Sequence, residues 1–116
     1  MNKVNFDADG SAEWACNFLQ KYPLDEIETI EVHFVAKEND AIHSKHDVTV
    51  TVTFKDKDST IVVVENGFRA GIFSERVIYL YDFLKRCNIP DITASSVYFM
   101  KKDRTFYPGD DSWNKF

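Results

Sequence analysis

The sequence predicts a single α+β domain spanning 1–116, a mainly antiparallel sheet of about five strands packed by two helices. Two observations carry this. The run "VTVTVTF" at 48–54 alternates apolar and hydroxyl side chains with the period of a half-buried strand, and strand-like segments flank it in a meander over 27–65. Two further segments, about 11–22 and 74–87, repeat apolar residues at helical spacing. A chain of 116 residues with 44% hydrophobic and 15% aromatic composition is the size of one domain and can fill a core.

In chain order, Val4 and Phe6 suggest a short first strand. Ser11 is a suitable helix cap, and "AEWACNFLQKY" places Ala12, Ala15, Cys16, Leu19 and Tyr22 on one face, with Trp14 and Phe18 at its boundary. Pro23 ends that helix, because the residue before a proline is pushed out of helical geometry. "ETIEVHFVAK" alternates, with Ile30, Val32, Phe34 and Ala36 opposite Glu31, His33 and Val35. "TIVVVE" is apolar on both faces and is expected inside the sheet. Ser74 is expected to cap the second helix, with Val77, Leu80, Tyr81, Leu84 and Cys87 facing the core and Asn88 and Pro90 ending it. "SSVYFMKKDRTFYP" suggests a strand, a charged turn and a short returning strand.

The formal net charge is −5, from 19 acidic and 14 basic residues. A general nucleic-acid binder or a protein docking on an anionic membrane needs the opposite field. Neither cysteine, Cys16 or Cys87, lies in a CxxC pair, and both are expected to be buried thiols of a reducing compartment. The first ten residues carry no apolar signal region, so a cytoplasmic location is expected.

Three motifs invite chemistry. "VENGFRAGIFSERV" brackets Arg69 between Gly67 and Gly71, but a phosphate loop needs GxxxxGK[ST] and a dinucleotide loop three glycines. A turn with positive φ at the glycines is preferred; an anion site of Arg69, Ser74 and Arg76 is the lesser alternative. "HSKHD" offers His43, His46 and Asp47 as a metal site, but zinc motifs need two ligand pairs, so no metal or cofactor is expected. "DADGS" begins like a calcium loop, yet its twelfth position from Asp7 is Phe18, not glutamate.

With no nucleophile motif, the sequence favours a binding protein over an enzyme. The expectation is a small acidic inhibitor of another protein with a basic surface, such as an immunity protein against a nuclease-type toxin or a phage-type inhibitor. Its expected contacts are Asp25, Glu26, Glu28 and Glu31, the aromatic pair Tyr79 and Phe83, and Asp110 and Asp111 after the Pro108–Gly109 turn. Phe106, Tyr107, Trp113 and Phe116 are expected to pack back on the domain. Two alternatives belong to other classes. One is a ligand-binding or catalytic domain using His33, His43, His46 or Arg69. The other is an oligomerising module pairing through an edge strand or the Tyr79 stripe.

Overall fold

A computed structural model of the chain describes residues 3–7, 12–36, 44–55 and 60–108. The order of elements is β1 (Lys3–Asp7), α1 (Ala12–Lys21), β2 (Ile27–Phe34), β3 (Asp47–Phe54), β4 (Ile61–Arg69), α2 (Glu75–Arg86), a short α3 (Asp91–Ala94) and β5 (Arg104–Phe106). The five strands form one sheet in the order β1-β4-β3-β2-β5. β2, β3 and β4 are the antiparallel meander expected from alternation, and β3 is its centre. β1 pairs parallel to β4, and β5 pairs antiparallel to β2. β4 is therefore interior, as its two apolar faces require. Among the described residues no helix is long and apolar enough to cross a membrane.

Ile30, Val32, Val48, Val50, Val52, Phe54, Val62 and Val64 are buried on one sheet face, together with side chains from both helices. The alternate residues Thr29, Glu31, His33, Thr49, Thr51 and Thr53 stay partly exposed on the other face. Period-two alternation therefore divides the meander as expected.

The expected core faces hold at Ala15, Leu19 and Tyr22 on α1 and at Val77, Leu80, Tyr81, Leu84 and Cys87 on α2, but each helix also turns in a ring that was not expected there. Phe18 and Phe83 are buried, and Trp14 packs partly buried against them. Phe83 sits at 5.4 Å from Phe18, 5.7 Å from Trp14 and 5.9 Å from Phe68, centroid to centroid. These rings form an aromatic wedge between α1, α2 and the end of β4. Burying a large ring contributes more than burying a thiol, so α1 turns Trp14 and Phe18 inward and leaves Cys16 exposed. Cys16 is thus corrected from a buried thiol to a surface one, 3.2 Å from Arg86 Nη1. Cys87 is buried, and burial pushes its thiol pKa up.

Two local features also differ from expectation. Ser74 occupies the N-cap of α2 and its carbonyl accepts from Val77 and Ile78, but its hydroxyl makes no capping bond and is buried without a partner. The segment 95–99 is a 3-10 turn following α3, not a strand. The Ser95 hydroxyl donates to the Ile92 carbonyl and the Ser96 hydroxyl to that of Thr93, and such local bonds favour a turn over a ladder. At the end of α2, Asn88 takes φ 65° while Ile89 N–H donates to Leu84 and Asn88 N–H to Lys85, closing the helix as a Schellman motif.

Candidate functional site

The end of β4 and the chain after α3 cross beside the start of β3. Gly67 and Gly71 both have positive φ, 112° and 78°, as the preferred reading of the glycine pair requires. Gly71 N–H donates to the Val97 carbonyl at 2.7 Å, and Ala70 N–H donates to the His46 carbonyl at 3.0 Å. A Cβ on Gly71 would stand 2.5 Å from the Met100 carbonyl oxygen, so the crossing is closed to any side chain there.

Arg69 does not wait for an anion. Its Nε–H donates to Asp47 Oδ1 at 2.9 Å, while Asp47 Oδ2 accepts from Ser44 N–H. His46 Nδ1 lies 3.0 Å from the Ala70 carbonyl, which can only accept, so that nitrogen carries the proton. His46 and Asp47 thus hold the entry to β3, and His43 lies outside the described residues. The anion-site alternative is also dispersed. Arg69 is paired, the Ser74 hydroxyl is buried, and Arg76 is exposed on α2.

The crossing carries two adjacent surfaces. The first is an aromatic ridge. Phe73 and Phe99 are 73% and 71% exposed, the largest exposures among the large hydrophobic side chains described. They are held by ring contacts instead of burial: Phe73 stacks on Tyr98 at 5.1 Å and meets Phe99 edge-on at 5.8 Å. Tyr98 in turn touches Tyr81 at 5.8 Å. The Tyr81 hydroxyl donates to Asp91, which also pairs with Lys85 at 3.4 Å. These bonds lower the Asp91 pKa and raise that of Tyr81. Ile72 and Ile78 add exposed apolar surface on the adjoining loop and helix.

The second surface is an open groove of about 480 Å³ lined by Phe34, Lys45, His46, Gly71, Met100, Lys101, Lys102 and Asp103. Asp103 accepts from Phe34 N–H at 2.9 Å and contacts His33 Nδ1 at 3.2 Å, and Glu31 approaches His33 Nε2 at 3.5 Å. The Phe34 N–H first, and His33 second, hold the Asp103 carboxyl below its usual pKa. Of the described residues named for a pocket chemistry, His46 lines the groove and His33 touches it through Asp103. Among the described residues neither imidazole is bonded to a hydroxyl or a thiol.

The expected contact residues do not assemble at this crossing. Asp25 and Glu26 are exposed in a 3-10 turn, Leu24–Glu26, before β2. Glu28 is exposed and has no partner in the β2–β3 register, which passes from Ile27↔Phe54 to Thr29↔Thr53. Glu31 lies on the open sheet face. The first three stand at the opposite end of β2 from Phe34, and an eight-residue strand separates its ends by about 20 Å. Phe83 is corrected outright, because it is fully buried in the wedge. Tyr79 packs partly buried against the core with its hydroxyl on Glu75, so the pair is not an exposed stripe. Asp110, Asp111, Trp113 and Phe116 lie outside the described residues. Phe106 does pack back, paired with Ile30, while Tyr107 is exposed.

The ridge and groove residues Phe73, Tyr98, Phe99, Lys45, Lys101 and Lys102 were not expected. A signal existed in "ASSVYFMKK", where the buried Ala94, Val97 and Met100 recur every third residue and leave Tyr98 and Phe99 off the buried line. Comparison with protein-family models, with curated proteins and with solved structures finds no match.

Proposed function

We propose that this protein is a binding module that docks on another protein through the ridge of Phe73, Tyr98 and Phe99. One observation carries the reading: two phenylalanine rings are more than two-thirds exposed yet fixed against each other and against Tyr98. Exposed, clustered apolar surface marks interaction sites, and aromatic side chains dominate interface energies. Rings already stacked lose little freedom on binding, which favours affinity.

The test compares wild type with Phe73→Ser/Phe99→Ser. The exposed rings contribute little to folding, so the variant's melting temperature stays close to wild type. A partner captured from the source organism's lysate is identified, purified and titrated against both proteins. The expected result is at least about a tenfold loss of affinity in the variant. Unchanged affinity would overturn the reading. So would a wild-type mass that doubles with concentration and reverts in the variant, because the ridge would then be a self-contact.

The charge balance supports a narrower second reading, in which the partner is basic and is inhibited, as a nuclease-type toxin is by an immunity protein. Its support is the net charge of −5 and the exposure of Asp25, Glu26 and Glu28. That end of the sheet is less uniform, because Lys55 shares a hollow there with Asp25. If the identified partner is basic and Asp25→Asn/Glu26→Gln/Glu28→Gln weakens it while the ridge variant does not, the second reading replaces the first.

A further inference from the structure

We propose that the lysine-rimmed groove receives a short acidic segment of the same partner, seated next to the ridge. The proposal deepens, and rests on, the assignment of the ridge as a protein contact. Continuity is the first argument. Ile72 and Phe73 follow Gly71 directly, and Tyr98 and Phe99 directly precede Met100, Lys101 and Lys102. The two surfaces therefore share both crossing segments, and the bond from Gly71 N–H to Val97 keeps them in register.

Charge is the second argument. Arg69, Lys85 and Arg86 are each paired with a carboxylate. Lys45, Lys101 and Lys102 have no such partner among the described residues, although the chain carries an excess of acidic residues. Among the described residues the one carboxylate lining the groove, Asp103, already accepts from Phe34 N–H and contacts His33. Among the described residues the groove is thus a local cationic spot on an anionic protein. A short anionic segment is attracted there, whereas a long polyanion would meet the surrounding negative field.

The lining favours carboxylate over phosphate. Built phosphate sites usually add free backbone amides or an arginine fork to any lysine. The loop amides of Ala70 and Gly71 already donate to His46 and Val97, and the cations are lysines. Phe34 and Met100 supply apolar floor between them, which suits a peptide that alternates acidic and apolar side chains.

The probe is a hexaglutamate peptide blocked at both ends, titrated into ¹⁵N-labelled protein. Shifts should concentrate at Lys45, His46, Gly71, Lys101 and Lys102, and should fade as NaCl rises toward about 0.5 M. Lys101→Glu/Lys102→Glu reverses two exposed charges and should weaken the peptide at least about tenfold, with the remaining spectrum intact. Scattered shifts, or affinity indifferent to the charge reversal, would overturn the proposal. A stronger response to inorganic phosphate or to a short thymidine oligonucleotide at equal concentration would do the same. Phe73→Ser/Phe99→Ser separates this proposal from the ridge. If that variant loses the protein partner while hexaglutamate never binds wild type, the groove fails and the ridge stands. If hexaglutamate binds but the partner ignores the ridge variant, the ridge fails and takes the acidic segment with it.

Discussion

Asp103 joins the candidate groove to the open sheet face through one side chain. One carboxylate oxygen accepts from the backbone of Phe34 at the end of β2, and the other contacts His33 on the same strand. Both contacts favour the charged form, so the native pKa lies below the usual value of 3.8. The sign follows from linkage. The unfolded chain binds this proton more readily, so the contribution is in place above about pH 4 and is lost as pH falls through the lower native value. The side chain is 56% exposed, and screening limits the effect to under about 1 kcal/mol. A carboxyl-detected NMR titration should find Asp103 titrating below 3.8. Asp103→Asn, which keeps an acceptor for Phe34 N–H, should flatten the loss of stability between about pH 4 and pH 2. A native pKa at or above the usual value would remove this account.

At the scale of elements, the crossing of the β4–α2 loop with the chain after α3 depends on the absence of a side chain at one position. Gly71 has φ 78°, and a Cβ there would lie 2.5 Å from a backbone oxygen of Met100, which cannot rotate away. Gly71→Ala should therefore cost about 2–4 kcal/mol in urea unfolding, combining left-handed strain with displacement of the crossing. Its amide shifts should centre on Val97 to Lys102 and the His46 loop. A cost below about 1 kcal/mol would show that the two segments separate freely. The same region shows what the sequence made legible. Glycine placement correctly indicated a turn with positive φ at Gly67 and Gly71, and strict alternation over 48–54 correctly set the meander, because both depend on backbone geometry local to the residues concerned. The helix faces were set correctly apart from Cys16 and the inward rings of Phe18 and Phe83. Whether Cys16 or Phe18 turns inward, and how deeply Phe83 is buried beside Tyr81, depends on packing between α1 and α2, and periodicity within one helix does not encode its neighbour. The ridge was missed for a related reason. "SSVYF" has the composition of a strand, and the serine hydroxyls that fold it back bond only to carbonyls already placed by α3.

For the whole molecule, the order β1-β4-β3-β2-β5 joins ends of the chain that are remote in sequence. Lys3 pairs with Ile61 and Val32 pairs with Arg104, while the inner pairs of the meander are separated only by single loops. Loop-closure entropy must be overcome before the outer pairings stabilise anything, so this topology folds more slowly than a helical protein of equal length. The wedge of Trp14, Phe18, Phe68 and Phe83 links α1, α2 and β4 in one core, so the described elements share a core and are expected to melt together. Refolding should accordingly be a single exponential on the scale of milliseconds to seconds, with tryptophan fluorescence and far-ultraviolet dichroism reporting the same rate. Phe83→Ala should lower stability by about 3–5 kcal/mol, whereas Phe99→Ser on the ridge should leave it within about 0.5 kcal/mol. That contrast separates the two aromatic clusters. One holds the fold together; the other is fixed in place but not needed for folding, which is the condition under which an exposed ring pair can be kept for a partner. If Phe99→Ser unfolds the chain as Phe83→Ala does, the ridge belongs to the core and loses its standing as a docking surface.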